Sequence, residues 1–354
     1  MIRPPRSLPV AVMAAQFWTG STGAGIAAGL RRAGWLVHEI DIRHYEPPLG
    51  LSRPMRAINR LSKKDAVAAY RRRIVADCEM LRPDLFLTIK GVAIDPKTLG
   101  ALSGLGVRTA IYYPDVNFEF ANFDKATIPL YDDFATTKSF QIDFLREARS
   151  GRGVHYVPHG YCSTVHRPLY AEIGSDDYLC DVGYAGNFSP YKAEQLGRLL
   201  ELAPDLRLSV TGPNWQRMKG WPSVHAALDR SERRNLAYSD FVQRSAIGLA
   251  FHYGPTQNGW ADLVSTRTFE IPACGGFMLH IENEEIHEFF DAGTEIDTFA
   301  CVEELASKIA FYLTHDSVRR EMAARAHRRA VPAYSYEVRA GEMLQALGLP
   351  ISQS

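Results

Sequence analysis

The stretch DLVSTRTFEIPACGGFM, residues 262–278, combines a helix, a helix stop and a strand. Arg267 opens the predicted helix, and Gly275 ends it, because glycine adopts the left-handed conformation of a helix C-cap. The apolar run at 277–279 predicts a buried strand. A helix that begins beside a strand end in an α/β protein is a natural anion site. From spacing alone, a plain i,i+3 ion pair between Arg267 and Glu270 is an equally weighted alternative.

Length and composition indicate an ordinary soluble protein with two domains. The chain has 354 residues, of which 46% are hydrophobic and 23% charged, and a chain of this length usually divides into more than one core. No apolar run approaches the roughly 18 residues of a membrane span, and no secretion signal is evident. We therefore expect a cytoplasmic protein. Five scattered cysteines without a CxxC motif predict buried thiols, not disulfides or a zinc site; they are Cys78, Cys162, Cys180, Cys274 and Cys301.

The net charge of zero hides an asymmetry between the halves. Residues 1–169 hold 23 Lys and Arg against 15 Asp and Glu, a net charge of +8, and residues 170–354 hold 17 against 25, a net charge of −8. Opposite signs suggest two domains that face each other across a cleft, or one half that meets an anionic surface. Chance variation between domains is the simpler alternative.

The first half alternates strands with helices. A strand at 9–15, the glycine-rich turn GSTGAG at 20–25 and a helix make a βαβ opening, in which we favour packing or acceptor contact over a nucleotide phosphate. Alternation predicts a parallel sheet, and ligands of such sheets bind at the carboxyl ends of the strands. Four residues fall at such ends: Lys90, Gly91, Asp115 and His159.

A basic run follows the second strand. Residues 53–73 hold one acid, Asp65, and eight basic residues: Arg53, Arg56, Arg60, Lys63, Lys64, Arg71, Arg72 and Arg73. The run predicts one long or two shorter helices with a solvated face. The alternative is peripheral contact with anionic lipid at the inner face of the membrane, where each basic residue contributes about 1 kcal/mol. Sparse aromatic residues argue against a nucleic-acid groove.

The second half repeats the opening of the first. The turn-rich segment VPHGYCSTVHRP at 157–168 marks a crossover, and a strand at 180–184 then leads through AGNFSPYK at 185–192 into a helix. The predicted domains are therefore 1–160 and 161–335, and a last helix and tail occupy 336–354.

Eight segments in order resemble glycosyltransferases of the GT-B architecture, in particular the spore-maturation CgeB-like group. They are RPDLFLTIKG, YYPD, VPHGYCSTVHRP, CDVGYAGNFSPYKAEQLGRLL, TGPNW, AIGLAFH, RTFEIPACGGFML and YSYEVRA, and they span most of the chain from about residue 80 onward. The resemblance implies two Rossmann-like parallel-sheet domains facing a cleft, with the C-terminal helix returning to the N-terminal domain. It implies an N-terminal acceptor side and a C-terminal domain that binds a nucleotide-sugar donor.

The resemblance to the wider retaining GT-B enzymes carries over to two acidic positions. That group has two acidic residues with seven residues between them, the second followed by small residues and glycine. Glu270 matches the second and is implied to bind the ribose of the donor. Asp262 stands where the group has Glu and is implied to lie near the donor sugar; its shorter side chain departs from the pattern.

The same group holds the diphosphate with a Gly-Arg pair and a later Lys. Gly186 and Lys192 keep that spacing, but Asn187 stands in place of the Arg, and we hypothesise that Arg267 is the replacement cation. Gly212, in the matching TGPNW segment, is placed in the same donor site. The chain has no Asp-x-Asp motif, so the resemblance implies cationic side chains and a helix N-terminus at the leaving group, and neither a metal nor another cofactor.

The mechanism and the class of protein leave alternatives open. Inversion requires a general base, for which Asp115 and then His159 are the candidates. Retention requires none, and the wider resemblance favours retention. The leading prediction is a glycosyltransferase with an unidentified acceptor. The rivals are a GT-B nucleotide-sugar epimerase and a two-domain ligand-binding protein without chemistry.

Overall fold

The computed structural model describes residues 8–45, 53–120, 122–231, 233–252, 254, 256 and 259–352, with the backbone alone for 53–62 and 175. The chain forms two compact units. One comprises Met1–Pro158 together with Tyr336–Ser354, and the other comprises His159–Ser335.

The first unit is built on a six-stranded parallel sheet with the order β2-β1-β3-β4-β5-β6. Every side chain of its first and third strands is buried, as expected for strands covered on both faces. The strands are β1 (Val10–Ala15), β2 (Leu36–Asp41), β3 (Leu85–Ile89), β4 (Arg108–Tyr113), β5 (Asp133–Thr136) and β6 (Val154–Tyr156), and the helices are α1 (Thr22–Arg32), α2 (Arg53–Leu81), α3 (Pro96–Gly104) and α4 (Ile142–Ala148).

The second unit holds a five-stranded parallel sheet with the order β11-β10-β9-β7-β8. Its strands are β7 (Cys180–Ala185), β8 (Leu208–Thr211), β9 (Ser245–Ala250), β10 (Met278–Ile281) and β11 (Asp297–Phe299). Its helices are α5 (Pro190–Leu202), α6 (Pro222–Ala226), α7 (Leu236–Gln243), α8 (Thr266–Ala273), α9 (Ile286–Phe289), α10 (Val302–Thr314) and α11 (Asp316–Ala330). The predicted pair of parallel-sheet α/β domains is confirmed. The sequence prediction missed β11, because three residues give too short a pattern to recognise.

Each sheet contains a topological switch point. In the first, β1 continues to β2 on one side and β3 lies on the other, so the strand order reverses between β1 and β3. In the second, the same reversal separates β7 from β9. Loops diverge at such points and leave a crevice at the carboxyl ends of the strands, where open α/β sheets bind ligands.

The stretch 262–278 folds as predicted. Helix α8 ends at Ala273, and Gly275 follows in the left-handed conformation with φ of +79°. Its amide donates to the carbonyl oxygen of Pro272, and the Gly276 amide donates to that of Ile271. These bonds satisfy carbonyl groups that the helix end leaves without partners.

The last helix, α12 (Tyr336–Ala346), belongs to the first unit, as the fold prediction required. It packs against α1 at glycine positions: a side-chain carbon at Gly25 would lie 2.7 Å from the Tyr336 ring, and one at Gly29 would lie 2.5 Å from the Ala340 side chain. A carbon at Gly23 would lie 2.5 Å from the carbonyl oxygen of Gln16. The glycine-rich opening therefore serves close packing.

Replacing Gly25 by valine is expected to lower the stability of the first unit by about 2 kcal/mol, because overpacking forces α1 and α12 apart. Thermal unfolding measures the change. Gly341→Ala is the matched control, since a side-chain carbon at Gly341 meets no atom within 4 Å and alanine favours a helix. An unfolding temperature for Gly25→Val equal to that of the wild type would contradict the packing argument.

Candidate functional site

Two helix starts flank the switch point between β7 and β9. After β7, the chain turns into α5, whose N-cap Ser189 accepts a hydrogen bond from the Lys192 amide at 3.3 Å. After β9, the chain leads to α8, where the Ser265 amide donates to the Thr268 hydroxyl at 3.2 Å. Both helices direct first-turn amides and the positive end of the helix dipole toward this edge of the sheet.

Arg267, in the first turn of α8, reaches the loop after β7. A side-chain carbon at Gly186 would lie 2.6 Å from Nη1 of Arg267. The guanidinium donates long hydrogen bonds to the carbonyl oxygens of Ala185 and Phe251, at 3.4 and 3.3 Å. It lies over the Tyr184 ring, with its central carbon 5.4 Å from the ring centre. The structure thus brings together Arg267 and Gly186, which lie 81 positions apart.

Lys192 lies near the same ring. Its side chain is only 1% exposed, its ammonium lies 5.8 Å from the centre of the Tyr184 ring, and Nζ donates to the carbonyl oxygen of Asn187 at 3.1 Å. Burial, and next the repulsion of Arg267, lower the pKa of Lys192 to about 6, against the attraction of Asp262. Two basic side chains are therefore held close enough for their charges to interact, and Asp262 acts to raise the pKa of both.

Gly212 completes the wall of this loop. It follows β8 with φ of +127°, and a side-chain carbon there would lie 2.3 Å from the carbonyl oxygen of Gly186. The indole of Trp215 donates to the same oxygen at 2.8 Å. Only glycine fits this backbone conformation and this approach. Asn187 is exposed at the loop tip and contributes its main chain to Lys192.

Glu270 faces two residues that the sequence analysis did not select. His166 Nε2 lies 3.7 Å from Oε1 of Glu270, and His166 Nδ1 accepts from the Cys162 amide at 3.0 Å, so the proton of the neutral ring lies on Nε2. Burial lowers the pKa of His166, while Glu270 acts to raise it. Burial, and then Glu270, raise the pKa of Tyr238 well above its usual value. Among the described residues, the ion pair of Glu270 within 4.0 Å is with His166, not with Arg267.

A chain of hydrogen bonds fixes the start of α8. His280 Nδ1 donates to the carbonyl oxygen of Ile281 at 2.7 Å, so its Nε2 is the acceptor for the Thr268 hydroxyl at 3.0 Å and for His252 Nε2 at 3.1 Å. Burial is the main cause that lowers the pKa of His280 to about 4. His280 is therefore neutral near pH 7, and these hydrogen bonds tie the end of β9 and strand β10 to the first turn of α8.

Asp262 lies on the same side as these groups. It is half-buried, and its charge acts to raise the pKa of both Lys192 and His280. The structure therefore brings the predicted donor-side residues of the second unit into one neighbourhood: Gly186, Asn187, Lys192, Gly212, Asp262, Arg267 and Glu270.

The two candidate bases fall in different units. Asp115 follows β4 in the first unit and pairs with Lys90, the two charged groups lying 2.7 Å apart. His159 begins the second unit and is 4% exposed. Their roles stay predictions.

The basic run forms one helix, α2. The side chains of Arg53, Arg56 and Arg60 lie outside the described residues. Arg71 pairs with Asp95 at 2.7 Å and Arg73 with Asp77 at 2.6 Å, so two of the remaining charges are locally neutralised. Membrane contact stays a prediction. No described helix is long and apolar enough to cross a membrane.

No cluster of three or more His, Cys, Asp or Glu among the described residues is placed to hold a metal ion.

Replacing Gly186 by alanine is expected to weaken anion binding at this site by about tenfold, because the new methyl group displaces the Arg267 guanidinium. Calorimetric titration with UDP measures the effect. Gly104→Ala in α3 is the control, since a side-chain carbon there has no atom within 4 Å. Equal UDP affinity in Gly186→Ala and the wild type would contradict the placement of Arg267.

Comparison with known proteins supports the fold. Residues 193–345 match a family model described as glycosyl transferase-like. No curated protein sequence matches the chain. Sucrose-phosphate synthase from Thermosynechococcus elongatus is similar in structure, with a TM-score of 0.65 at 14% identity over 96% of this chain and 98% of that one.

Two further structures carry a bound nucleotide sugar. HepE from Anabaena in complex with UDP-glucose has a TM-score of 0.62 at 13% identity, over 96% of this chain and 99% of that one. A T4 phage BGT mutant in complex with UDP-glucose has a TM-score of 0.60 at 13% identity, over 97% of this chain and 100% of that one. The two parallel-sheet units and these likenesses identify the fold as GT-B.

Proposed function

We propose that the protein is a glycosyltransferase that takes a sugar from a nucleoside-diphosphate sugar bound by the second unit. The observation that carries the proposal is the pair of basic side chains, the buried Lys192 and the half-buried Arg267, held against one aromatic ring at the switch point between β7 and β9. Charging Lys192 in this buried position beside Arg267 is costly, as its pKa of about 6 reflects, unless a ligand supplies negative charge. A diphosphate supplies two negative charges at that position.

The chemistry of the site matches the leaving group of such a donor. When the bond between the sugar and the diphosphate breaks, negative charge grows on the phosphate oxygens. The planar fork of Arg267 binds two phosphate oxygens at once, and Lys192 adds a point charge. The first-turn amides of α5 and α8 stabilise the same charge. These groups perform the neutralisation without a metal ion, so we propose a metal-independent reaction.

The acidic residues complete the donor site. We propose that Glu270 accepts hydrogen bonds from the ribose hydroxyls, with His166 and Tyr238 holding its carboxylate in place. Asp262 lies near the transferred sugar. We further propose retention of configuration, which rests on the resemblance to the wider retaining GT-B enzymes, and membership of the CgeB-like group, which rests on the order of the sequence segments. Complexes of HepE and of T4 phage BGT with UDP-glucose support a nucleotide sugar as the donor.

Release of nucleoside diphosphate tests the proposal. The protein is incubated with UDP-, GDP- and dTDP-sugars, alone and with a panel of hydroxyl-bearing acceptors, and the diphosphate and the products are measured by chromatography. Transfer predicts that an acceptor accelerates release and that a new glycoside forms. Interconversion of the donor sugar would identify an epimerase, and tight binding without turnover would identify a binding protein. Either outcome overturns the proposal.

A further inference from the structure

The carboxyl ends of β3 and β4, next to the switch point of the first sheet, carry a cluster of three side chains. Lys90 follows β3, which borders the switch point, and Asp115 follows the neighbouring strand β4. Nζ of Lys90 lies 2.7 Å from Oδ2 of Asp115 and 4.4 Å from the centre of the Phe120 ring. The carboxyl ends of these strands, where open α/β sheets bind ligands, thus hold an ammonium, a carboxylate and an aromatic ring together.

These side chains are partly accessible, although Oδ2 of Asp115 is itself buried. The Lys90 side chain is 36% exposed and that of Asp115 is 21% exposed. Phe120 is 38% exposed, although a large apolar ring is stabilised by burial. Its neighbour along the chain, Phe118, is buried, as is Phe123. The loop after β4 therefore buries two of its phenylalanines and leaves the third beside the ion pair.

The backbone that carries Lys90 is held in an unfavourable conformation. Lys90 and Ala93, neither of them glycine, have φ of +69° and +61°, and such conformations persist only where the surroundings impose them. Here the Lys90 amide donates to the carbonyl oxygen of Tyr112, and the Ala93 amide to that of Asn122. Arg71 Nε donates to the carbonyl oxygen of Ala93 at 2.7 Å. Several hydrogen bonds thus fix the main chain from which the Lys90 side chain extends.

The charges of this cluster favour some classes of ligand over others. Lys90 and Asp115 together are neutral, so a phosphate at this point would be repelled by the Asp115 carboxylate as much as it is attracted by the ammonium. An ammonium offers three N–H donors and a carboxylate offers several acceptor positions, which suits hydroxyl groups that both donate and accept. An aromatic ring beside them suits the apolar C–H face of a sugar ring. The nearby Lys138, at the end of the next strand β5, is 2% exposed and does not present its charge to solvent.

We propose that Lys90, Asp115 and Phe120 form the subsite for the acceptor, and that the acceptor is an uncharged sugar bearing free hydroxyl groups, not a sugar phosphate. The acceptor role rests on the proposed function, whereas the binding of a neutral sugar at these residues does not. Phe120 covers one face of the sugar ring, and the ion pair binds neighbouring hydroxyls at its edge.

Ligand-observed NMR tests the site in the full chain. Saturation transfer is recorded to the methyl glycosides of glucose, galactose, mannose and N-acetylglucosamine, and to glucose 6-phosphate, with and without UDP. We expect transfer to at least one methyl glycoside. Its affinity should fall about tenfold in Phe120→Ala and in Lys90→Met. Phe144→Ala is the matched control, because Phe144 is 42% exposed in the same unit but stacks on Phe118, and it should bind as the wild type does.

Three results would overturn the proposal: no transfer to any methyl glycoside, equal binding by Phe120→Ala and the wild type, or tighter binding of glucose 6-phosphate than of every neutral sugar. Thermal unfolding of each variant shows that the protein is folded. Titration of the wild type with UDP-glucose is recorded in parallel. Failure to bind UDP-glucose counts against the proposed function alone, and failure to bind a sugar at Phe120 counts against the acceptor subsite alone.

Discussion

Replacing Arg267 by alanine is expected to weaken the binding of UDP-glucose by about a hundredfold, with little change in thermal stability. Removing a buried cationic side chain that pairs with a bound anion typically costs about 2–5 kcal/mol of binding free energy. Among the described residues, the hydrogen-bond partners of Arg267 are two main-chain carbonyl oxygens at 3.3 and 3.4 Å. These contacts are too long to contribute much to the folded state, so the side chain is held ready for a ligand. Isothermal calorimetry with wild type and variant measures the difference.

Two further variants separate the charge of Arg267 from its geometry and provide a control. Arg267→Lys keeps the charge but loses the planar fork that binds two oxygens, and it should lie between wild type and Arg267→Ala. Arg198→Ala is the control: Arg198 is 49% exposed on α5 and pairs with Glu303 at 3.1 Å, and exposed ion pairs contribute little. If Arg267→Ala binds UDP-glucose as tightly as Arg198→Ala does, Arg267 is not the replacement cation.

The fold could be predicted from the sequence because the signals were local. Runs such as VAVMAA in β1 and LFLTI in β3 are continuously apolar, which is typical of strands buried on both faces of a parallel sheet. Their alternation with helices dictates the architecture. The start and end of α8 followed from residue types within a single turn. By contrast, β11 was not predicted, because its edge position and three residues leave no periodicity.

The site was predictable only in part. Arg267 and Glu270 stand out from spacing within one stretch, and Gly186 and Lys192 come from the resemblance to retaining GT-B enzymes; the structure places these residues in one neighbourhood. The surroundings of Glu270 were not selected, because His166 and Tyr238 reach it from 104 and 32 positions away. His252 and His280 gave no signal, since a buried histidine in a strand or at its end resembles any core residue. The sequence does not show which groups meet across the sheet, nor how deeply Lys192 is buried, and burial followed by the charge of Arg267 lowers the pKa of Lys192.

Lys192→Met is expected to stabilise the protein while removing donor binding. The pKa of Lys192 falls from an ordinary 10.5 to about 6 in the folded chain. Between these values the unfolded state binds more protons than the folded state, so stability rises with pH through that window and the full penalty is present below about pH 6. Methionine fills a similar volume without a charge, and such replacements stabilise by about 2 kcal/mol. The unfolding temperature at pH 7 should rise by about 5 °C, and the rise should shrink toward pH 10.

The affinity for the donor should depend on pH in the opposite direction from the stability of the free protein. A bound diphosphate favours the charged form of Lys192 and raises its pKa, so binding at pH 7–8 takes up a proton and the affinity falls as the pH rises, by up to about tenfold per pH unit. UDP-glucose is the appropriate probe, because its diphosphate does not titrate in this range. Calorimetry in buffers with different ionisation enthalpies measures the proton uptake directly. Lys192→Met should bind UDP-glucose at least about tenfold more weakly at pH 6 and take up no proton. If Lys192→Met still takes up a proton on binding, the proton belongs to another group. If its unfolding temperature is lower than that of the wild type, the Lys192 ammonium stabilises the fold and is not held for a ligand.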